Sequence, residues 1–205
     1  MGYYKPYSYK EIARDSSEAI PLSLVKEHIR LSHDNTCEDE LIRTYIATAR
    51  LCFEAFTRRT LITTTYRTYR DIWENGYELR RSPLQSVESV KYYDTDNVLQ
   101  TLDSSNYYVT DEADYSRLIF NDDAVFPTLK NREQAIQIEF KAGYGDTMAD
   151  IPADIRVALL QHIANMYENR GDCEGDFCEN LLPSTARLIY SKYKIMEIAI
   201  YCNRW

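Results

Sequence analysis

The chain has 205 residues, a formal net charge of −8 at pH 7 and 44% hydrophobic residues. A chain of this length holds one large domain or two small ones, with enough apolar side chains for a real core. The acidic balance argues against a protein that grips nucleic acid over a broad surface, and no apolar run is long enough to span a bilayer. The eighteen tyrosines supply large amphipathic contact area, which fits a protein with extensive interfaces and fits a β-rich core as well.

The cysteines and the first residues indicate the compartment. The five cysteines are scattered and odd in number, which is typical of reduced thiols in a cytoplasm rather than of a disulfide framework. The N-terminal residues lack the apolar middle of a secretory signal. We therefore expect a protein of the cytoplasm without a membrane partner.

Residues 21–59 are predicted to be helical. Ser23 fits the N-cap of a short helix that ends near Leu31, and Thr36 with Asp39 resembles a capping box before a longer helix. The apolar residues of the longer helix recur at the spacing of one buried face. They are Ile42, Tyr45, Ile46, Ala49, Cys52, Phe53 and Phe56.

Residues 60–142 are predicted to form a β region, which begins with a run at 61–73 that is dense in Thr, Tyr and Ile. Asn75-Gly76 is a two-residue hairpin signal between a strand at 61–73 and a returning strand at 77–81. Ile136, Ile138 and Phe140 alternate with polar residues, as in a strand with one buried face. Strands are also predicted at 86–93, 98–102, 107–110 and 117–120.

Residues 143–193 are predicted to return to helix. Gly143 and Gly145 break the last strand, Pro152 fits the first turn of a helix at 153–170, and Gly171 fits its C-terminal cap. A further helix is predicted at 185–192. His162 flanks the apolar stripe of the first of these helices and is interpreted as a hydrogen-bonded structural histidine rather than a ligand or base.

These segments predict an α+β fold, a small helical bundle with an inserted antiparallel β region. Residues 21–59 and 143–193 supply the two halves of the helical part, and residues 60–142 supply the insertion. Residues 1–20, which show no sustained period, are predicted to be an N-terminal arm. Residues 194–205 are predicted to be a C-terminal tail.

The sequence lacks the motifs of common catalytic and cofactor sites. It has no Gly-x-Ser-x-Gly elbow, no P-loop and no dinucleotide fingerprint. The acidic segment at 171–180 lacks the glycine and the bidentate acid of a calcium loop, and Cys173 and Cys178 lack the second ligand pair that zinc requires. We therefore predict that the protein is not an enzyme and holds no cofactor or metal.

Three groups of short motifs follow one another between residues 21 and 170. The first is Lys26-Glu27-His28-Ile29-Arg30-Leu31, Glu38-Asp39-Glu40-Leu41-Ile42, Tyr45-Ile46 and Ala49-Arg50, leading to Glu54, Thr57, Arg59 and Leu61. The second is Ser82-Pro83-Leu84-Gln85-Ser86-Val87, Ser89-Val90 and Tyr92-Tyr93-Asp94. The third is Ala142-Gly143-Tyr144-Gly145, Ile151-Pro152-Ala153-Asp154-Ile155-Arg156, Ala158-Leu159-Leu160 and Tyr167-Glu168-Asn169-Arg170. In this order and spacing, the motifs resemble those of the head–tail connector (adaptor, or head-completion) proteins of tailed bacteriophages and related gene-transfer particles.

The resemblance implies packed helices with an inserted β region, assembled as a ring, usually of twelve copies, beneath the portal protein at the capsid vertex. Such a ring extends the DNA channel and offers a docking platform for the head-closure protein and the tail. The location implied is the neck of the virion, after assembly in the host cytoplasm. The family brings no catalytic residues.

An acidic channel wall would repel the phosphates of DNA, so that the duplex passes through without specific binding. The sequence offers acidic candidates for this wall in the β region and after the long second-half helix. They are Asp111, Glu112, Asp114, Asp122, Asp123, Asp172, Glu174, Asp176 and Glu179.

The C-terminal tail is unusually apolar. One interpretation is an element tucked against its own core, and the other is a segment that docks on the portal by strand addition or by burial in a groove. The candidates for portal docking are Ile195, Ile198, Ile200, Tyr201 and Trp205.

Three alternatives remain open at the level of sequence. A packaging accessory protein that binds DNA ends predicts a local Lys/Arg patch, whereas the basic residues here are dispersed. A small hydrolase or nuclease would need a site assembled from scattered acids. Another neck component is also possible, such as a head-closure protein, which we expect to be mostly β, or a tail-completion protein.

Overall fold

The computed structural model describes residues 9–14, 16–111, 115–170 and 182–195. Its helices are α1 (Leu22–His28), α2 (Asp39–Thr57), α3 (Ala153–Glu168) and α4 (Ser184–Tyr193). Its strands are β1 (Tyr9–Arg14), β2 (Thr64–Arg70), β3 (Gly76–Leu79), β4 (Leu84–Tyr93), β5 (Leu99–Leu102), β6 (Tyr107–Asp111), β7 (Ser116–Phe120) and β8 (Ile136–Ala142). The predicted α+β class is confirmed. Within the described residues, no helix is both long enough and apolar enough to cross a membrane.

The four helices pack around one apolar core. The stripe predicted on α2 faces inward, with Ile42, Ala49 and Phe53 fully buried. Phe53 meets Tyr190 of α4 edge to face, with ring centroids 4.9 Å apart, a favourable aromatic geometry. From α3, this core receives Ile155, Ala158, Leu159, Ile163 and Met166.

The starts of α1 and α2 differ from the prediction. Pro21, not Ser23, occupies the N-cap of α1, and Glu38 occupies that of α2; neither gives a side-chain capping bond. Asp39 instead forms an ion pair with Lys26. Lys26 is 3% exposed, and its ammonium group also donates to the carbonyl oxygen of Asn35 at 2.8 Å. A partly buried ion pair between α1 and α2 is found in place of the expected capping box.

The second pair of helices closely follows its predicted bounds. Pro152 and Pro183 occupy the N-cap positions of α3 and α4, one residue outside each helix, where proline costs no backbone bond. The predicted glycine cap at Gly171 lies outside the described residues.

The β region consists of two antiparallel sheets packed face to face. One has five strands in the order β1-β2-β8-β4-β5, and the other has three in the order β3-β7-β6. The predicted alternation in β8 is observed, since Ile136, Ile138 and Phe140 are fully buried. They face Leu118 and Phe120 of β7 in a second apolar core.

The predicted hairpin at Asn75-Gly76 is wrong. β2 pairs with β1 and β8, while β3 pairs with β7 in the other sheet. The segment between β2 and β3 turns so that Tyr77 is 2% exposed and donates to the carbonyl oxygen of Ile72 at 2.7 Å. Burial of this ring between the sheets outweighs the local turn preference, which specifies a turn but not the partner strand.

The prediction of an arm at residues 1–20 is wrong for its described part. β1 is an edge strand of the larger sheet, and Ala19 and Ile20 are 1% exposed in the helical core. β1 shows no alternation because its central residues are exposed. Its ends are fixed by polar contacts, with the Tyr9 hydroxyl accepting from the Arg80 N–H at 2.8 Å and Arg14 bonding to Glu54.

Two polar junctions hold the helical layer against the β region. The buried Glu54 carboxylate of α2 accepts from the Arg14 guanidinium at 3.1 and 3.2 Å and from the Leu61 N–H at 3.0 Å. The Arg59 guanidinium donates to the Tyr193 carbonyl oxygen at 2.8 Å and to the Ser82 hydroxyl at 3.1 Å. Each junction joins elements that are distant in sequence, so the two layers are fixed relative to each other.

Candidate assembly surfaces

The only docking candidate among the described residues is Ile195, and it is buried. Its side chain is 4% exposed, and its N–H donates to the Thr57 carbonyl oxygen at 3.0 Å. Ile195 therefore packs within its own subunit, as one of the two interpretations of the tail expected. Ile198, Ile200, Tyr201 and Trp205 lie outside the described residues.

The chain is anchored just before the tail. The Asp154 carboxylate at the start of α3 accepts from the Lys192 ammonium at 2.9 Å and from the Tyr193 hydroxyl at 2.9 Å. Burial alone would raise the pKa of Asp154, but the bonds from Lys192 and Tyr193 lower it overall. Together with Arg59 and Thr57, this carboxylate fixes the end of α4 at the boundary between the two layers.

Of the nine acids predicted to line a channel, the structure places two side chains in full. Asp122 and Asp123 are exposed in the connection that follows β7. Asp111 is the last residue of β6. Glu112, Asp114, Asp172, Glu174, Asp176 and Glu179 lie outside the described residues.

The connection between β7 and β8, residues 121–135, is long but well anchored. Its Pro127 carbonyl oxygen accepts from the Trp73 indole N–H at 2.9 Å, and the Phe126 ring lies 5.3 Å from that of Trp73. The Lys130 N–H donates to the Tyr93 carbonyl oxygen at 3.0 Å. A long connection held in this way is typical of a binding loop rather than of a passive linker.

This connection carries an exposed apolar surface, which we call the loop patch. It consists of Ile72, Val125 and Phe126, which are 63%, 81% and 40% exposed, together with the adjacent carboxylates of Asp122 and Asp123. Single exposed apolar residues are ordinary. The significant feature is that Val125 and Phe126 are consecutive, and that Phe126 and Ile72 both adjoin Trp73, by ring contact and by sequence respectively.

A second exposed apolar surface, which we call the helix patch, lies on α3 and α4. It consists of Val157 and Leu188, which are 48% and 74% exposed, together with Arg187 and Lys192. The two helices run antiparallel, since Thr185 bonds to Gln161 at 2.7 Å and Lys192 bonds to Asp154. Val157 and Leu188 therefore lie at the same level, between these two contacts.

Sequence reasoning did not identify either patch, although a signal was present for one. The buried stripe of α4 contains Ala186 and Tyr190, and Leu188 falls on the opposite, polar face. This position off the stripe is the available sequence signal, and it gains significance only because Val157 is exposed at the same level on α3. Val125 had no comparable signal, because a loop has no period.

The interior of the helical layer contains the predicted structural histidine. His162 is 2% exposed, and its Nδ1 lies 3.4 Å from the Tyr190 hydroxyl. Burial lowers the pKa of His162 to about 4, so it is neutral at physiological pH. Within the described residues, no group of three His, Cys, Asp or Glu side chains is placed to hold a metal ion.

The fold is shared with chains of solved particles. No family model and no curated protein matches the sequence. A chain in the neck of an empty GTA particle, computed with C6 symmetry, superposes with a TM-score of 0.78 at 20% identity, covering 93% of this chain and 97% of that chain. A chain in the virion of a native gene transfer agent (GTA) particle superposes with a TM-score of 0.75 at 21% identity, and the match covers 93% of this chain and 96% of that chain. A chain in the neck of a native GTA particle, computed with C12 symmetry, superposes with a TM-score of 0.71 at 18% identity, and the match covers 93% of this chain and 97% of that chain. The resemblance predicted from the motifs is thus confirmed at the level of the fold.

Proposed function

We propose that the chain is a structural protein of the neck of a tailed-phage-like particle, where it serves as the head–tail adaptor. The observation that carries this proposal is the match, nearly end to end, to a chain of a GTA neck, which covers 97% of that chain. The described part of the subunit adds surfaces suited to assembly, the loop patch and the helix patch. On this proposal the protein acts by shape and surface, and it does so without catalysis.

The adaptor assembles as a ring, with twelve copies in the virion. In support, the similar neck chains belong to particles computed with C6 and C12 symmetry. A ring requires a head-to-tail contact in which each subunit presents two different faces. The subunit has two exposed apolar patches of different composition, as such a contact needs.

The ring sits beneath the portal protein, and the C-terminal tail provides the attachment. The anchor at Thr57, Arg59 and Asp154 presents the chain after Ile195 at a fixed place on the subunit. The apolar residues Ile198, Ile200, Tyr201 and Trp205 are proposed to dock on the portal by strand addition or by burial in a groove. Ile195 is assigned to the anchor.

The opposite side of the ring receives the head-closure or tail protein, and DNA passes through the centre. A net charge of −8 on each subunit gives the ring a field that repels phosphates. We assign the channel wall to acids among Asp111, Glu112, Asp114, Asp172, Glu174, Asp176 and Glu179. Asp122 and Asp123 are assigned a different contact below.

Electron microscopy of the purified protein, alone and mixed with the portal protein of the same particle, tests the proposal. We expect a ring with a central channel that caps the portal. A gel shift with DNA at low salt is the control for the DNA-end-binding alternative, and we expect no shift. Absence of a ring in both samples, or retention of DNA at low salt, would contradict the proposed function.

A further inference from the structure

The two most exposed large apolar side chains of the described residues lie in different layers of the subunit, one in the β region and one in the helical layer. Val125 is 81% exposed and Leu188 is 74% exposed. Val125 belongs to the connection that enters β8 at Ile136, and the other end of β8 meets the helical layer through Gly143 and Tyr144. At about 3.3 Å per residue, β8 alone separates the two patches by about 20 Å.

The loop patch is held in one conformation before any partner arrives. Trp73 packs against Phe120 and Phe126, with ring centroids 5.6 and 5.3 Å away, and its indole N–H binds the loop backbone. The Gln134 N–H donates to the Asp71 carboxylate at 2.6 Å, which closes the other end of the connection. Binding by such a surface loses little conformational entropy.

The helix patch is similarly rigid, because it spans two packed helices. Thr185 bonds to Gln161 on one side of it, and Lys192 and Tyr193 bond to Asp154 on the other. Val157 and Leu188 between them form an apolar centre with a polar rim, which is the usual anatomy of a protein interface.

The two patches carry opposite charge. Residues 121–126 contain Asp122 and Asp123 and no basic residue. The helix patch has Arg187 and Lys192 on α4 and Asp154, bonded to Lys192, on α3, so it keeps one net positive charge. The basic side chains elsewhere in the connection point away, since Lys130 donates to the Thr95 carbonyl oxygen and Arg132 to the Asn97 side chain. Opposite charges around apolar centres align two surfaces and exclude wrong partners.

We propose that the occupant of the helix patch is a second copy of this chain. The loop patch of one subunit packs on the helix patch of the next, with Val125 and Phe126 against Val157 and Leu188. Asp122 and Asp123 then face Arg187 and Lys192 at the rim. This inference rests on the proposed ring and names its subunit interface.

Charge reversal tests the contact. The variant Asp122→Lys, Asp123→Lys and the variant Arg187→Glu, Lys192→Glu each bring like charges together, and we expect each to weaken self-association in sedimentation velocity by about tenfold or more. An equimolar mixture of the two variants offers a native contact and a charge-swapped contact, so association should return. The variant Asp34→Lys, Asp96→Lys makes the same change of charge at exposed residues outside both patches and should associate as the wild type does. Thermal unfolding of every variant excludes misfolding as the cause.

The apolar centre is tested separately. Leu188→Ser should weaken association, whereas Leu51→Ser removes a matched leucine, 55% exposed on α2, and should not. Equal effects of the two substitutions would contradict the assignment of the helix patch.

Carbodiimide cross-linking of the wild-type ring gives a direct readout, because this reagent joins carboxylates to amines in contact. A link between Lys192 and Asp122 or Asp123 must join two subunits, since β8 separates the two patches by about 20 Å within one subunit. The link between Lys192 and Asp154, 2.9 Å apart in one subunit, is the internal control.

The outcomes separate the two proposals. If the protein forms no ring, either alone or with the portal protein, the proposed function is wrong and so is this subunit contact. If a ring forms without the intersubunit link and both charge variants assemble normally, the ring stands and this contact is overturned.

Discussion

Glu54 joins the first strand to the second helix through a single buried carboxylate. The residue is 6% exposed, and it accepts from Arg14 of β1 and from the N–H of Leu61 at the start of the β region. Burial disfavours the charge of Arg14, but its bonds to Glu11 and Glu54 more than offset this and raise its pKa. Arg14 therefore keeps its charge within the junction.

Removal of this carboxylate should be costly. Glu54→Ala removes one of the two carboxylates that bind the largely buried Arg14 guanidinium and leaves the Leu61 N–H without its acceptor. We expect the free energy of unfolding to fall by about 3 kcal/mol. Urea unfolding with an unchanged m-value measures the loss. Glu11→Ala removes the more exposed partner of the same arginine and should cost less than about 1 kcal/mol. Equal losses would show that burial of Glu54 does not determine its contribution.

His162 should make stability depend on pH. In the unfolded chain this side chain takes up a proton below about pH 6.5, whereas burial in the folded chain delays protonation to about pH 4. Stability is therefore full above pH 6.5 and is lost as the pH falls toward 4, by at most about 1.4 kcal/mol per pH unit. Urea unfolding of the wild type and of His162→Leu between pH 4 and pH 7 measures this slope. His28 and His33, which are exposed, remain in both proteins, and carboxylates with a lowered pKa, such as Asp154, add a slope mainly below pH 5. Equal slopes in the two proteins between pH 5 and pH 6.5 would therefore contradict the assignment to His162.

At the scale of elements, the periods in the sequence located most helices and strands to within a few residues. The alternation in β8 and the stripe of α2 come from burial of one face of each element, which leaves a local pattern. The pairing of strands leaves no such local pattern, because β3 pairs with β7, which lies about forty residues further along the chain. β1 was not predicted because its central side chains are exposed, and its pairing with β2 through backbone hydrogen bonds leaves no pattern in the sequence. The patches required knowledge of which residues remain exposed after packing, which only the assembled fold supplies.

Gly143 fixes the passage from β8 into the helical layer. Its φ is +142°, and a Cβ there would lie 2.7 Å from the Thr63 nitrogen and 2.8 Å from the Ile62 carbonyl carbon. Because these atoms belong to backbone, Gly143→Ala should lower stability by about 3 kcal/mol, or the Tm by about 10 °C for a chain of this size. Gly76→Ala is the comparison, since its φ is not in the left-handed region and its Cβ would meet one tight contact, the Leu118 carbonyl oxygen at 3.2 Å. We expect it to cost less than Gly143→Ala. A thermal scan in which both variants melt together would contradict this role for Gly143.

At the scale of the whole molecule, the subunit has two apolar cores, one among the helices and one between the sheets. The described residues of both cores precede position 196. On the proposed docking role of the tail, deletion of residues 196–205 should abolish binding to the portal protein in a pull-down assay while it leaves the Tm unchanged. Ile198→Asp with Ile200→Asp should give the same loss of binding at full chain length. Undiminished portal binding by the truncated protein would end the docking role of the tail.

The anchor before the tail has a mechanical consequence. Thr57 and Arg59 stand where the last turn of α2 gives way to the β region, and both hold the end of α4, through Ile195 and Tyr193. A pull along the chain beyond Ile195 is transmitted to α2, to α4 and, through Ser82, to the sheets at the same time. The load would be divided among three elements, so the attachment should withstand tension that would peel away a single terminal helix.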